Sequence, residues 1–339
     1  MPGLKVVRSI CLFTDRPSRR SLHRLAGLSE RLQSAGFSVQ TQRLCSPDVD
    51  RIFELDQHID GGVLLSVGQV PWDRWEHILD RFFEARNVNF NLDLSAETID
   101  QSHVRPLAEV IARRPAKTFS FTYTFNNSPS SPFFPSATYE RNGFAIGLQP
   151  TDLSEGAGTV DEWLDRVRDA WHEIDRLMAT RDDYIGVDTS IAPLFAGRSS
   201  FVSLIKRLGL DFDRAATTGL FIRITSFINA ERMKRVGLCG LMFPCLEDFE
   251  LADEYEKGGF SVERCLFLSL QSGLGLDSYP VGVDEEHARI AEVLTMSQGL
   301  ANKYRKPLSA RFISDGKARI GERTSFGSPY LKDVTIRAL

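Results

Sequence analysis

Apolar positions recur along this chain in two alternating rhythms, one of period two and one of period three to four. Residues 4–13 (Leu-Lys-Val-Val-Arg-Ser-Ile-Cys-Leu-Phe) predict a strand. From Ser21 to Ala35 the residues Leu22, Leu25, Ala26 and Leu32 keep helical spacing, and Gly36 ends the run. The same logic predicts strands at 37–45, 62–67, 88–92, 117–125, 143–149 and 184–189. Helices are expected at 48–57, after Pro71 and at 106–113. Thr159-x-x-Glu162 reads as a capping box opening the clearest helix, whose stripe is Trp163, Leu164, Val167, Trp171, Ile174, Leu177 and Met178. The second half predicts helices at 200–208, 219–230, 247–257, 262–271 and 284–304, a buried strand at 239–243, and extended segments at 278–281, 307–313 and 334–338. About ten β segments, most separated by helices, imply parallel β/α architecture. No sharp linker interrupts the chain, so residues 1–339 read as one unit with a seam at 156–158.

Two loops carry unusual residue density. Asn126 to Pro135 contains Pro129, Pro132 and Pro135, which no helix interior or central strand accepts. Leu266 to Asp284 holds Ser272, Gly273, Gly275, Asp277 and Pro280, and the glycines predict a tight turn through positive φ. We read the second stretch as backbone held beside a pocket. A helix-to-strand connection with a glycine cap is the alternative.

Composition adds limits. With 42% apolar and 25% charged residues among 339, the chain has material for a large soluble core. A net charge of −4 and no basic stripe argue against nucleic acid. No apolar run approaches the ~18–20 residues of a membrane span, and no signal peptide is expected. Five cysteines without framework spacing suit a reducing cytoplasm. The six histidines are scattered and Cys239-x5-Cys245 has no second pair, so no zinc site is predicted. An oxygen-ligand site built from Asp188, Glu247, Asp248 or Asp277 stays open as an alternative. No phosphate-binding glycine loop and no Gly-x-Ser-x-Gly elbow occur, so no cofactor is named.

Candidate site residues follow from polar groups at strand ends, where parallel α/β folds gather ligands. Asp188 ends one strand, and Glu247 and Asp248 follow another. For that pair, a helix first turn complementing the dipole is the preferred reading. In 307–313, Leu308, Ala310 and Phe312 alternate with Ser309, Arg311 and Ile313. A helix-packed face would not tolerate an unpaired guanidinium, so Arg311 should face Asp277 or a bound anion.

Phe133-Phe-Pro-Ser-Ala, Gly240-Leu-Met-Phe-Pro-Cys-Leu-Glu-Asp, Ser272-Gly-Leu-Gly-Leu-Asp-Ser-Tyr-Pro, Lys306-Pro-Leu-Ser-Ala-Arg and Phe326-Gly-Ser-Pro-Tyr-Leu stand in this order. Together with Val7-Arg-Ser-Ile they resemble the family catalogued as domain of unknown function 711. That resemblance implies a fold similar to the pyruvate formate-lyase type, a ten-stranded β/α barrel of two five-stranded parallel halves running antiparallel to each other. The chain departs from the family pattern. Ser272 stands where members usually carry a cysteine, and Thr138-Tyr-Glu140 stands where a histidine is usual. The tail lacks a glycyl-radical motif. The expected function is an enzyme acting on a small anionic metabolite, by acid/base or electrostatic chemistry and without a glycyl radical. Asp277 and Ser272 would be catalytic, and Arg311, Asp188 and Asn127 would bind substrate. The alternative is a non-catalytic small-molecule-binding or regulatory protein. Small-molecule ligands are the expected partners, and a homo-oligomer is compatible with the sequence.

Overall fold

The computed structural model describes residues 5–59 and 61–339. Leu4, expected in the first strand, lies outside the described residues. One sheet takes strands from both sides of 156–158. In chain order they are β1 (Val6–Phe13), β2 (Ser38–Val39), β3 (Gln42–Cys45), β4 (Val63–Val70), β5 (Val88–Asp93), β6 (Phe121–Phe125), β7 (Gly143–Leu148), β8 (Tyr184–Asp188), β9 (Gly275–Pro280) and β10 (Leu308–Ile313). Their spatial order is β8-β7-β1-β3-β4-β5-β6-β10-β9, and the short β2 continues the line of β3 beside β1. Strands β1 and β3 to β6 run parallel, as do β7 with β8 and β9 with β10. The two antiparallel junctions are β1 with β7 and β6 with β10.

This mixed α/β sheet of ten strands is not closed by a continuous ladder, where the family resemblance implies a closed or nearly closed barrel and a doubly wound open sheet is the alternative. Between β8 and β9 runs an irregular segment, 234–246, touching both through isolated parallel bridges: Val187 with Arg235, Ile191 with Leu241, Leu241 with Gly273 and Pro244 with Asp277. The buried strand expected at 239–243 falls here. Cys239 takes a positive φ of 49°, Leu238 and Cys239 give their N–H groups to Asp188, and Pro244 has none to give. Those three facts break the ladder.

Alternation sorts the strands into two faces. Ile10, Leu12, Leu44, Phe90, Leu92, Phe144 and Ile146 join residues of the flanking helices, such as Leu25, Leu79 and Trp171, in the large apolar core. The opposite face is more polar and is covered by the proline-rich loop. Ser9 Oγ donates to Pro132 O at 2.7 Å, and Asn91 Nδ2 donates to Pro135 O and Ala137 O, each at 3.0 Å. Phe133 lies so close to Gly147 that a Cβ there would meet its ring at 2.5 Å. It is therefore this loop, and not the stretch around Ser272–Pro280, that fills the inner face. Residues Gly275–Pro280 form β9 itself.

Other expectations shift locally. Residues 115–120 form 3-10 turns, so β6 begins only at Phe121. Thr159 caps its helix by accepting from Glu162 N at 3.2 Å, but the Glu162 side chain accepts from Gly158 N, which leaves the capping box half made. The segment 334–338 is not a strand. Val334 N donates to the Thr324 side chain and Ile336 N to Glu322 O, leaving a single bridge between Arg323 and Thr335. Ile313 packs in the large core, although alternation placed it beside Arg311.

Gly275 alone of the predicted glycine pair uses positive φ, at +92°, and a Cβ there would meet Ser309 O at 2.1 Å. Gly275→Ala should cost at least about 2 kcal/mol, since backbone strain and a broken β9–β10 ladder combine. Gly27→Ala, in open space inside a helix, should instead stabilise by up to about 1 kcal/mol. Urea unfolding of the two variants measures the contrast.

Candidate functional site

Arg311 reaches the inner face from β10 as its alternation requires. Its side chain is 7% exposed. Nε donates to Asp277 Oδ1 at 2.7 Å, Nη2 lies 2.6 Å from the same oxygen, and Nη2 also donates to Glu247 Oε1. The guanidinium lies 5.0 Å from the Phe119 ring centroid. Asp277 is aimed inward by a bulge in β9. Between Ala310 and Phe312 the opposing strand spends one residue more, and Ser278 takes a φ of 39°. Glu247 follows Pro244 at the end of the irregular segment, and its Oε2 lies 3.5 Å from Arg8 Nη2 on β1.

Two carboxylates thus share one guanidinium, with a second guanidinium behind. Burial works against the charge on Arg311, but Asp277 and Glu247 outweigh it and raise its pKa. Burial raises the Asp277 carboxyl, Arg311 pulls it back, and Glu247 pushes it up again, so the net direction is upward. Asp277 keeps 21% of its side chain exposed against 5% for Glu247, so it is the carboxylate that a ligand could meet. It borders a small chamber of about 30 Å³ whose walls include Thr122, Phe134, Ser136, Ser309 and Arg311.

Arg43 on β3 completes the cluster. It is 5% exposed, donates from Nε to Thr41 Oγ1 at 3.1 Å, and lies 5.1 Å from the Phe134 ring centroid. Among the described residues no carboxylate contacts it. Burial, then the charge of Arg8, push its pKa down to about 9. Neither Arg8 nor Arg43 was singled out from the sequence. Yet each interrupts a predicted strand, the signal that selected Arg311.

The remaining predicted residues are engaged within the protein. Asp188 is fully buried and accepts five hydrogen bonds, from Ser131 Oγ, Ser190 N, Ser190 Oγ, Leu238 N and Cys239 N. Asn127 ties the base of the proline-rich loop, donating to Ser136 O and Thr138 Oγ1, each at 2.7 Å. Ser272 bonds Phe221 O at 2.6 Å and the Thr225 hydroxyl, which pins it to the helix Leu220–Ala230. It borders a larger cleft of about 490 Å³. Asp248 caps the helix Phe249–Glu256 and accepts from Phe201 N at 2.8 Å, as the helix-terminus reading expected. Glu247, paired with Asp248 in that reading, belongs to the charge cluster instead, because its side chain turns to Arg311. Of the four carboxylates named for an oxygen-ligand site, Glu247 and Asp277 meet at Arg311, while Asp188 and Asp248 bond elsewhere. Among the described residues no group of three or more His, Cys, Asp or Glu side chains is placed to hold a metal ion. Likewise, none of the described helices is long and apolar enough to cross a membrane.

The fold and the cluster define a mixed α/β protein with a buried ionic centre on the inner face of its sheet. Residues 78–327 match the family described as uncharacterised ACR, DUF711, and the chain belongs to that family. No curated protein matches it. Among solved structures, the chain aligns with a provisionally named prephenate dehydrogenase from Corynebacterium glutamicum ATCC 13032, at 13% identity and a TM-score of 0.16. The alignment covers 67% of this chain and 64% of that one, so this chain spans just under two thirds of that protein's length. At that score the likeness carries no argument.

Arg311→Ala would leave Asp277 and Glu247 facing each other without their shared cation, a loss of about 3–5 kcal/mol. Arg311→Lys should lose less, because it keeps the charge and gives up the fork. Chemical denaturation of both variants tests this ordering.

Asp248 supplies a pH signature. Burial pushes its carboxyl up to about 7 in the fold, against an ordinary 3.8. The folded state therefore holds a proton that the unfolded chain releases, and this contribution to stability falls as pH rises from about 4 to about 7. Asp248→Asn cannot titrate. The excess stability of wild type over this variant should shrink across that window, and a constant difference would refute the assignment.

Proposed function

We propose that this chain is an enzyme acting on a small anionic metabolite at the inner face of its sheet, by acid/base or electrostatic chemistry and without a glycyl radical. The inner face would be the interior of a ten-stranded barrel of the pyruvate formate-lyase-like type, with 234–246 as its irregular closing strand. The strand directions support that arrangement: β1 and β3 to β6 form one parallel set. The segments β7, β8, 241–244, β9 and β10 align as the other.

One observation carries the reading. Among the described residues, Arg43 is buried without a carboxylate partner, beside a cluster of two more guanidiniums and two carboxylates. A buried cation is costly unless an anion offsets it. A metabolite's carboxylate or phosphate oxygen would supply that charge, with Arg43 as its anchor and Arg311 orienting Asp277. Asp277, raised by burial and by Glu247, would accept or donate the proton. In this reading Asn127 and Asp188 support the site by fixing the proline-rich loop, and Ser272 stands apart from it. Five free thiols support a reducing, cytoplasmic setting. The 30 Å³ chamber favours a second reading, a regulatory binding protein whose loop shifts to admit its ligand without turnover.

A metabolite screen with mass-spectrometric detection of both depletion and retention separates the two. Asp277→Asn should lower turnover by at least about 100-fold, and Arg43→Gln should abolish retention. Retention without depletion would establish the regulatory reading. Turnover unchanged in Asp277→Asn would overturn the enzymatic one.

A further inference from the structure

A cleft of about 490 Å³ lies beside Ser272 at the sheet's gap. It opens at the start of β10, near Lys306 and Pro307, and is walled by 235–240, by Gln271 and Ser272, and by the helix Leu220–Ala230 through Thr225, Ile228 and Asn229. Its lining contains Arg235, Arg305 and Lys306 and, among the described residues, no carboxylate. The chain as a whole carries a net charge of −4. A concave surface with three cations and no anion is therefore a local inversion of the protein's charge.

Backbone carbonyls hold two of the cations, and the third stands at a helix end. Arg305 ends the helix His287–Tyr304 in the left-handed conformation, with φ and ψ both 49°, which turns the chain sharply into β10. Lys306 Nζ donates to Ser269 O at 2.8 Å and to Gln271 O at 3.0 Å, so its ammonium is fixed with one N–H to spare. Burial without an offsetting carboxylate pushes its pKa down to about 8. Arg235 Nη1 donates to Ile228 O at 2.7 Å, which ties the guanidinium to the helix that walls the cleft. The carbonyl partners orient these groups without neutralising them.

We infer that this cleft binds a doubly charged tetrahedral oxyanion, the phosphate group of a small phosphorylated metabolite. Two guanidiniums and an ammonium offer the forked and point-charge donors that such a group takes. The apolar body of the ligand would lie against Ile228 and Leu238. The inference does not rest on the inner face being catalytic, because Arg43 and Asp277 are absent from this lining.

The test is isothermal titration with inorganic phosphate at low ionic strength, with acetate as the monovalent comparison. Wild type should bind phosphate saturably and more tightly than acetate. Arg305→Asn removes a cation while keeping a residue that tolerates the left-handed backbone, and Arg235→Gln removes another. Each should weaken phosphate by roughly tenfold or more, and Arg235→Lys should recover part of that loss. Melting curves without ligand should show Arg305→Asn as stable as wild type. Absence of saturable phosphate binding, or equal affinity in the Arg235→Gln, Arg305→Asn double variant, would each overturn the inference.

Discussion

The sharing of Arg311 between Asp277 and Glu247 is the interaction on which the inner face depends. A guanidinium and two carboxylates removed from water repay their desolvation only when geometry is close and further donors meet the spare oxygens. Here the spare Glu247 oxygen lies beside Arg8, from the other parallel set of strands. The cluster therefore joins β10, β9, the irregular segment and β1 at one point. Its polarity is affordable only because the proline-rich loop and Phe119 exclude solvent around it.

Asp188 does for the backbone what Arg311 does for charge. Its oxygens take donors from the proline-rich loop, from the turn that follows β8 and from the segment 237–239. Gly237 has no room for a side chain there, since a Cβ would lie 2.2 Å from Asp188 Oδ2. Burial raises the carboxyl of Asp188 and its hydrogen bonds oppose that rise. A residue engaged on every side fixes the backbone around it.

Strand and helix positions were legible because apolar alternation is a local property, and Arg311 was legible because a charge inside an apolar strand demands a partner. Arg8 and Arg43 carry the same signal, but their strands mix polar and apolar residues, which dilutes the contrast. Glu247 was hidden by its neighbour. Two acidic residues opening a helix look alike in sequence, and only the turn after Pro244 sends one to cap the helix and the other inward. Asp188, Ser272 and Asn127 were recognisable as special polar residues. Whether their partners would be ligand or protein depends on segments about 10 to 60 residues away, which no local pattern records.

The irregular segment between β8 and β9 has a consequence for self-association. An open sheet ordinarily presents two rows of unpaired backbone groups that can recruit strands from other molecules. Here Val236 N and Met242 N donate toward the β8 side, while Leu241 N and Cys245 N donate toward the β9 side. One stretch of chain thus occupies both rims at once. Its kinks keep it from extending the ladder, and Pro244 with its two glycines makes it a poor template for a second copy. The protein is thereby shielded from edge-to-edge aggregation without a charged or shortened border strand.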